Sequence, residues 1–139
     1  MTKLPTIDFK GKPYVTVAER VKEFNRLYVE GSIRTELISQ PNDDRVIFKA
    51  IAYPDTKNLD RCFVGHSQAI VGEGYINKTS ALENAETSAV GRALGLMGIG
   101  VIDSIASADE LNKTTNYVPH TKQPYGKNEN NFIKDMEQY

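Results

Sequence analysis

Between Thr16 and Glu30 the apolar residues Val17, Val21, Phe24 and Tyr28 recur at one-turn intervals, and Leu27 widens the stripe. That period predicts an amphipathic helix over Thr16–Glu30 that packs through this face. Thr16 with Glu19 three positions on forms a capping box, and Gly31 stands where a left-handed helix stop is expected. From Arg34 onward the pattern changes to alternation. Arg34–Gln40 reads as a first strand, followed by the turn cluster Pro41-Asn42-Asp43-Asp44. Arg45–Tyr53 is the clearest strand, with Val46, Phe48, Ala50 and Ala52 on one face and Arg45, Ile47, Lys49, Ile51 and Tyr53 on the other. Arg61–Val71 reads as a third strand, interrupted by Gly65. Short polar connections between three successive strands predict an antiparallel meander.

A second helix is expected from Ser80, with Glu83 as its capping partner, through ALENAETSAVGRALGLMGIG. Its small residues Ala81, Ala85, Ser88, Ala89, Gly91, Ala93 and Gly95 would let it lie close against a sheet or another subunit. Glycine inside a helix costs about 1 kcal/mol relative to alanine, so two of them imply a packing reason. Gly98 and Gly100 end the helix, and Ser107 with Glu110 caps a short third helix to about Lys113. Residues 1–15 show no period and read as an extended lead-in. The expected fold is therefore α+β: an N-terminal helix, a three-stranded antiparallel meander, a long small-residue helix packed on the sheet, and a short C-terminal helix. Residues 1–114 form the core and 115–139 a flexible polar tail, whose Phe132, Ile133, Met136 and Tyr139 have the spacing of a docking helix.

Composition narrows the function classes. Hydrophobic residues make up 40 % of the 139 and charged residues 25 %, enough for one soluble core. A formal charge of −1 excludes a polybasic, whole-protein mode of nucleic-acid binding, so any such binding needs a local patch. The single cysteine, Cys62, cannot form an internal disulfide and suits a reducing cytoplasm. No apolar run approaches the roughly 18 residues of a membrane span, and the N-terminus lacks the apolar segment of a signal peptide.

Catalytic chemistry finds little support. The glycines of Gly95–Gly100 run in the reverse order to a dinucleotide fingerprint, and there is no phosphate-cradling Gly-Lys-Ser/Thr. Cys62 and His66 fall on one face of a strand, but a zinc site needs more ligands and only His120 remains. A core thiol and a partly buried imidazole are the roles expected of them. Glu83 and Glu86 serve the helix start. The chain reads as a binding protein and not an enzyme, with no cofactor implied.

The outer face of the central strand is different. Arg45, Lys49 and Tyr53 alternate with Ile47 and Ile51, and Arg34 and Arg61 on the flanking strands could extend the surface. Cation, aliphatic and aromatic groups on one face make a phosphate groove with a stacking platform. A solvated sheet face with gatekeeper charges is the equally available reading. Arg92 is the one basic residue between Ala81 and Asp109. Its partner is either a phosphate or an acid such as Asp103.

The order of elements, with Arg92-Ala93-Leu94 leading to the Gly98-Ile99-Gly100 stop and the IASADEL that follows (residues 105–111), resembles the Rad-fifty-two/Sak-type single-strand annealing proteins of phages and eukaryotes. The resemblance covers residues 14–113. It implies ATP-independent single-stranded DNA binding and strand annealing in phage-type recombination, by a ring or filament of identical subunits in the host cytoplasm. By position it assigns DNA contacts to Arg92 and, more loosely, to Arg34. Gly91 stands where the family usually has the first of two adjacent basic residues, which implies a weaker groove. A plain strand-protecting protein is the neighbouring alternative. A structural or regulatory oligomer without nucleic-acid binding is the alternative from another class.

Overall fold

The computed structural model describes residues 3–72 and 74–102, with elements β1 (Ile7–Phe9), β2 (Lys12–Tyr14), α1 (Val17–Leu27), β3 (Ser32–Leu37), β4 (Arg45–Tyr53), β5 (Phe63–Ile70) and α2 (Gly74–Leu96). The α+β class, the first helix, the meander and the long helix on the sheet all appear as the periodicities require. The short third helix, the 115–139 tail, Asp103 and His120 lie outside the described residues.

The lead-in departs from expectation. It is a hairpin in which Ile7 pairs with Tyr14, Asp8 with Pro13 and Phe9 with Lys12. Lys10 (φ 52°) and Gly11 (φ 81°) form its two-residue turn with positive φ at both positions. Such turns match the twist of the strands they join. Three-residue strands are too short to show alternation, and lysine is not a turn signal there, so the sequence pattern hides the element.

At the start of α1, Thr16 Oγ accepts a hydrogen bond from the Glu19 backbone N–H at 3.3 Å, satisfying one of the helix's orphan donors. The helix ends at Leu27, and the Tyr28 N–H bonds back to the Phe24 carbonyl. Gly31 is not the left-handed stop expected of it. A Cβ there would fall 2.8 Å from the Phe24 ring and 2.9 Å from the carbonyl oxygens of both Tyr28 and Tyr53. Close approach, not handedness, requires glycine.

The three-stranded sheet has the order β3-β4-β5, antiparallel throughout. Phe48, Ala50 and Ala52 of β4 are buried while their neighbours are half-exposed, so one face is covered and the other open. α2 supplies the cover. Ala81, Ala85, Ala89 and Ala93, four residues apart, are all buried and face the sheet in one core with Phe24, Phe48, Ala50, Ala52, Ala69 and Leu94. The helix lies so near that a Cβ at Gly65 of β5 would be 2.5 Å from the Ala89 carbonyl oxygen and 2.6 Å from the Ala93 nitrogen. That explains the glycine interrupting the strand. Gly91 answers to α1 in the same way, since a Cβ would meet a Val17 methyl at 2.7 Å.

Ser80, the expected helix start, marks a break: its backbone (φ −140°, ψ 30°) is not helical, and helix continues on its other side from Gly74. The C-terminus closes as the glycines predict. The Ile99 N–H reaches the Leu94 carbonyl at 3.0 Å and the Gly98 N–H the Gly95 carbonyl at 2.9 Å, with Gly98 left-handed (φ 88°). This paired arrangement, with Ile99 and Leu94 both buried, is a Schellman stop. No helix among the described residues is long and apolar enough to cross a membrane.

Candidate functional site

The register places the open-face residues in cross-strand rows. Ser32 lies opposite Tyr53; Arg34, Ile51 and Val64 form the next row; Glu36, Lys49 and His66 the next; and Arg45 lies opposite Ile70 toward the far end. Alternation holds these side chains on the face that α2 does not cover. Arg34, Arg45, Lys49 and Tyr53 are therefore brought together as the sequence suggests. Arg34 is exposed, and its guanidinium sits 5.2 Å from the centroid of the Tyr53 ring, a cation–π arrangement across the two strands. Lys49 is half-buried by its neighbours and makes no hydrogen bond or ion pair among the described residues. Arg45 and Lys49 are four residues apart on a strand, about 13 Å along the sheet. Three arginine and lysine side chains face one acid, Glu36, and Ile47, Ile51, Val64 and Ile70 fill the surface between them.

Arg61 and Arg92 do not belong to this surface. Arg61 precedes β5, and its guanidinium lies 5.2 Å from the centroid of Phe63, whose register partner is Ala52 on the helix-covered face. Arg92 rises from α2 beside β5, its Cβ next to Gly65, and is partly buried on that same covered side. Of the five residues expected on the sheet surface, Arg61 is thus separated from the other four by strand alternation, and Arg92, singled out on the second helix, stays on the helix side. Cys62 also differs from expectation. It precedes β5 and is exposed, as is His66, which points to the open face; neither is a core group. Glu86 is engaged by Thr35, whose hydroxyl donates to its carboxylate at 2.8 Å and ties β3 to α2.

The helical surfaces carry a different electrostatic character. On α1, Lys22 meets Glu19 at 3.2 Å, and Arg26 meets Glu23 at 2.6 Å through a two-pronged contact. The hydrogen bond from Arg26 holds the Glu23 carboxyl below its usual range. On α2, Glu83 is exposed and Glu86 half-exposed. Among the described residues the net positive charge lies on the open sheet face, while Arg92 of α2 is offset by Glu83 and Glu86.

One cation escaped the sequence reading. Arg20 of α1 is 1 % exposed. Its Nε donates to the Val15 carbonyl at 3.1 Å and one terminal nitrogen to the Gly91 carbonyl at 3.0 Å. Its guanidinium lies 5.5 Å from the centre of the Tyr14 ring. Burial pulls it down from its ordinary value, partly opposed by Tyr14. The charge is held by carbonyl dipoles near the C-terminal end of α2, where the helix dipole is negative. The signal for it was the helix period itself, since Arg20 falls inside the apolar stripe, between Leu27 and Phe24 and one turn from Val17. Gly100 leaves room for it: a Cβ there would fall 2.9 Å from the Arg20 Cγ.

Residues 21–97 match the family model described as Slr1353 N-terminal dsRNA-binding domain-like. No curated protein and no solved structure gives a significant match. The family match overturns the resemblance to Rad-fifty-two/Sak-type annealing proteins. The matched range takes in most of ALENAETSAVGRALGLMGIG, the segment on which that resemblance leaned. Its alanine and glycine stripe is accounted for by close packing on β4, β5 and Val17, a geometry any helix lying this near a sheet needs.

Proposed function

The chain belongs to the Slr1353 N-terminal dsRNA-binding domain-like family, and from that premise we propose that it is a nucleic-acid-binding module that uses the open face of β3–β4–β5. The family match carries the reading. The distribution of charge supports the choice of face: Arg34, Arg45 and Lys49 outnumber Glu36 there, whereas on the helix side the α1 charges are paired and Arg61 and Arg92 are offset by Glu83 and Glu86. A polyanion meets net attraction on one side and balanced charge on the other. The β4 backbone that carries Arg45 and Lys49 is held by α2 packed on its other face, so that backbone needs little ordering on binding.

Duplex RNA is the ligand that the family's description points to. A single-stranded polynucleotide, DNA included, is the second reading, and Tyr53 under the Arg34 guanidinium favours it as a surface on which a base could stack. Either way the chain acts as a binder and not an enzyme. Strand annealing and assembly into rings or filaments rested on the replaced resemblance, and the alanine stripe that could have met another subunit is occupied by the chain's own sheet.

The test is fluorescence anisotropy with labelled duplex RNA, single-stranded RNA and single-stranded DNA at two salt concentrations. Binding that weakens with salt, and weakens further in Arg45→Ala and Lys49→Ala proteins across all sequences alike, is expected. Absence of binding to every probe overturns the reading.

A further inference from the structure

The β1–β2 hairpin precedes residues 21–97 and forms a sheet of its own, unpaired with β3–β4–β5. Ile7, Asp8, Lys10, Gly11, Lys12 and Pro13 are all exposed along it. Residues 3–14 carry Lys3, Lys10 and Lys12 against the single acid Asp8, a local excess of positive charge in a chain whose formal charge is −1.

The pairing register sorts these charges by face. Phe9 lies opposite Lys12 and Ile7 opposite Tyr14, so these four share one face, while Asp8 opposite Pro13 occupies the other. Lys10 leans the same way as Lys12, its ammonium 5.8 Å from the centroid of the Phe9 ring. Phe9 in turn lies 6.0 Å from Tyr14. Lys10 thus stands over the Phe9 ring, and Lys12 shares the face of Phe9 and Tyr14.

Two further features mark the element as more than a connection. Lys10 has φ 52°, a conformation that favours Gly, Asn or Asp and holds lysine at a cost. The root is firmly held: Tyr14 and Val15 are buried, and Arg20 clamps the Val15 carbonyl and the Gly91 carbonyl of α2 under the Tyr14 ring. A rigid root and a charged tip describe an arm.

Building on the nucleic-acid reading above, we infer that this hairpin is a cationic arm whose Lys10 and Lys12 grip the phosphate backbone of the polynucleotide bound by the chain. Lysine ammonium groups act there as point charges without base preference. The arm therefore adds affinity and salt dependence but no sequence selectivity.

The experiment compares the full chain with a Lys10→Asn/Lys12→Gln variant. Asparagine before Gly11 suits the turn, so the hairpin is retained while the charge is removed. Anisotropy titrations use a labelled RNA duplex of about 16 base pairs and a single strand of the same sequence. The variant should bind about ten-fold more weakly near 0.1 M salt, with a log–log salt slope shallower by about 1.4 for single strands or about 1.8 for duplex. Arg45→Ala/Lys49→Ala runs in parallel. Should that open-face variant lose affinity while the hairpin variant keeps both affinity and slope, the arm is wrong and the nucleic-acid reading stands. Should the unaltered chain bind no probe, the reading falls and the arm with it. A hairpin variant that changes sedimentation without changing affinity also overturns the arm, making the hairpin a contact between copies.

Discussion

Gly65→Ala tests the claim that α2 is laid directly on β5. The added methyl would sit 2.5 Å from the Ala89 carbonyl oxygen, 2.6 Å from the Ala93 nitrogen and 2.9 Å from the Arg92 Cβ. Two of these obstacles are helix backbone, which no rotamer change moves aside. Bringing the Ala89 oxygen out to an ordinary 3.4 Å requires α2 to rise by about 0.9 Å, the difference between the two distances. A radial gap of about that size forfeits a quarter to a half of each van der Waals contact it opens. The contacts at risk are those of Ala81, Ala85, Ala89 and Ala93, all 7 % exposed or less. Overpacking costs about 1–3 kcal/mol where side chains can yield, and with backbone on the far side the upper end applies. The reduced entropy of the unfolded chain returns about 0.4–1 kcal/mol. A net loss of about 2–3 kcal/mol is expected, lowering Tm by about 10–20 °C for a body of this size. Urea denaturation followed by circular dichroism reads it as a lower midpoint at unchanged m-value. Gly91→Ala is the control. Its obstacle is one Val17 methyl, which can rotate, and a helical alanine regains about 1 kcal/mol over glycine, so the change should stay within about 1 kcal/mol of neutral. If Gly65→Ala unfolds within about 0.5 kcal/mol of the parent, or no more easily than Gly91→Ala, the close-packing argument fails.

Thr16→Ala removes the helix cap and should cost about 1 kcal/mol in the same denaturation assay, with Thr16→Ser recovering most of it. Arg20→Ala deletes a buried guanidinium bonded to two carbonyls and leaves a cavity, for a loss of about 3 kcal/mol; trypsin cleavage after Lys10 should quicken as the hairpin root loosens. Glu23 is held below its usual carboxyl range by Arg26, so its contribution is complete above the unfolded-state pKa and disappears as pH falls through the lower folded-state value. Stability measured across mildly acidic pH should therefore drop less steeply in Glu23→Gln than in the parent, and equal slopes would count against the pairing. In nucleic-acid titrations, Arg92→Ala should weaken binding less than Lys49→Ala, because Arg92 lies on the helix-covered side; the reverse order would move the site off the open face.

The periodicities of the chain were sufficient for its main elements. A one-turn repeat at Val17, Val21, Phe24 and Tyr28, strict alternation from Arg45 to Tyr53, and glycines at 98 and 100 are local signals, and each reports a local geometry that survives in the fold. The face bearing Arg45, Lys49 and Tyr53 was legible for the same reason, since alternation within one strand decides which side chains travel together. The short hairpin was not, because three residues per strand show no period and its turn is made by a lysine.

What tertiary structure alone decided is everything that depends on which segments meet. Register added Glu36 and His66 to the row of Lys49 and put Arg34 over Tyr53, relations between residues far apart in the chain. The layer formed by α2 sent Arg61 and Arg92 to the opposite side from Arg45, although all six candidates are equally basic or aromatic on paper. Gly31 and Gly65 read as a stop and an interruption in sequence and proved to be points where an added Cβ would lie within 3 Å of backbone from another element. Arg20 falls within the apolar stripe of α1 by its period, but the Gly91 carbonyl that holds its charge arrives only with α2. The physical reason is common to all four: hydrophobic period encodes which way a side chain points, whereas proximity and desolvation exist only once the segments are packed together.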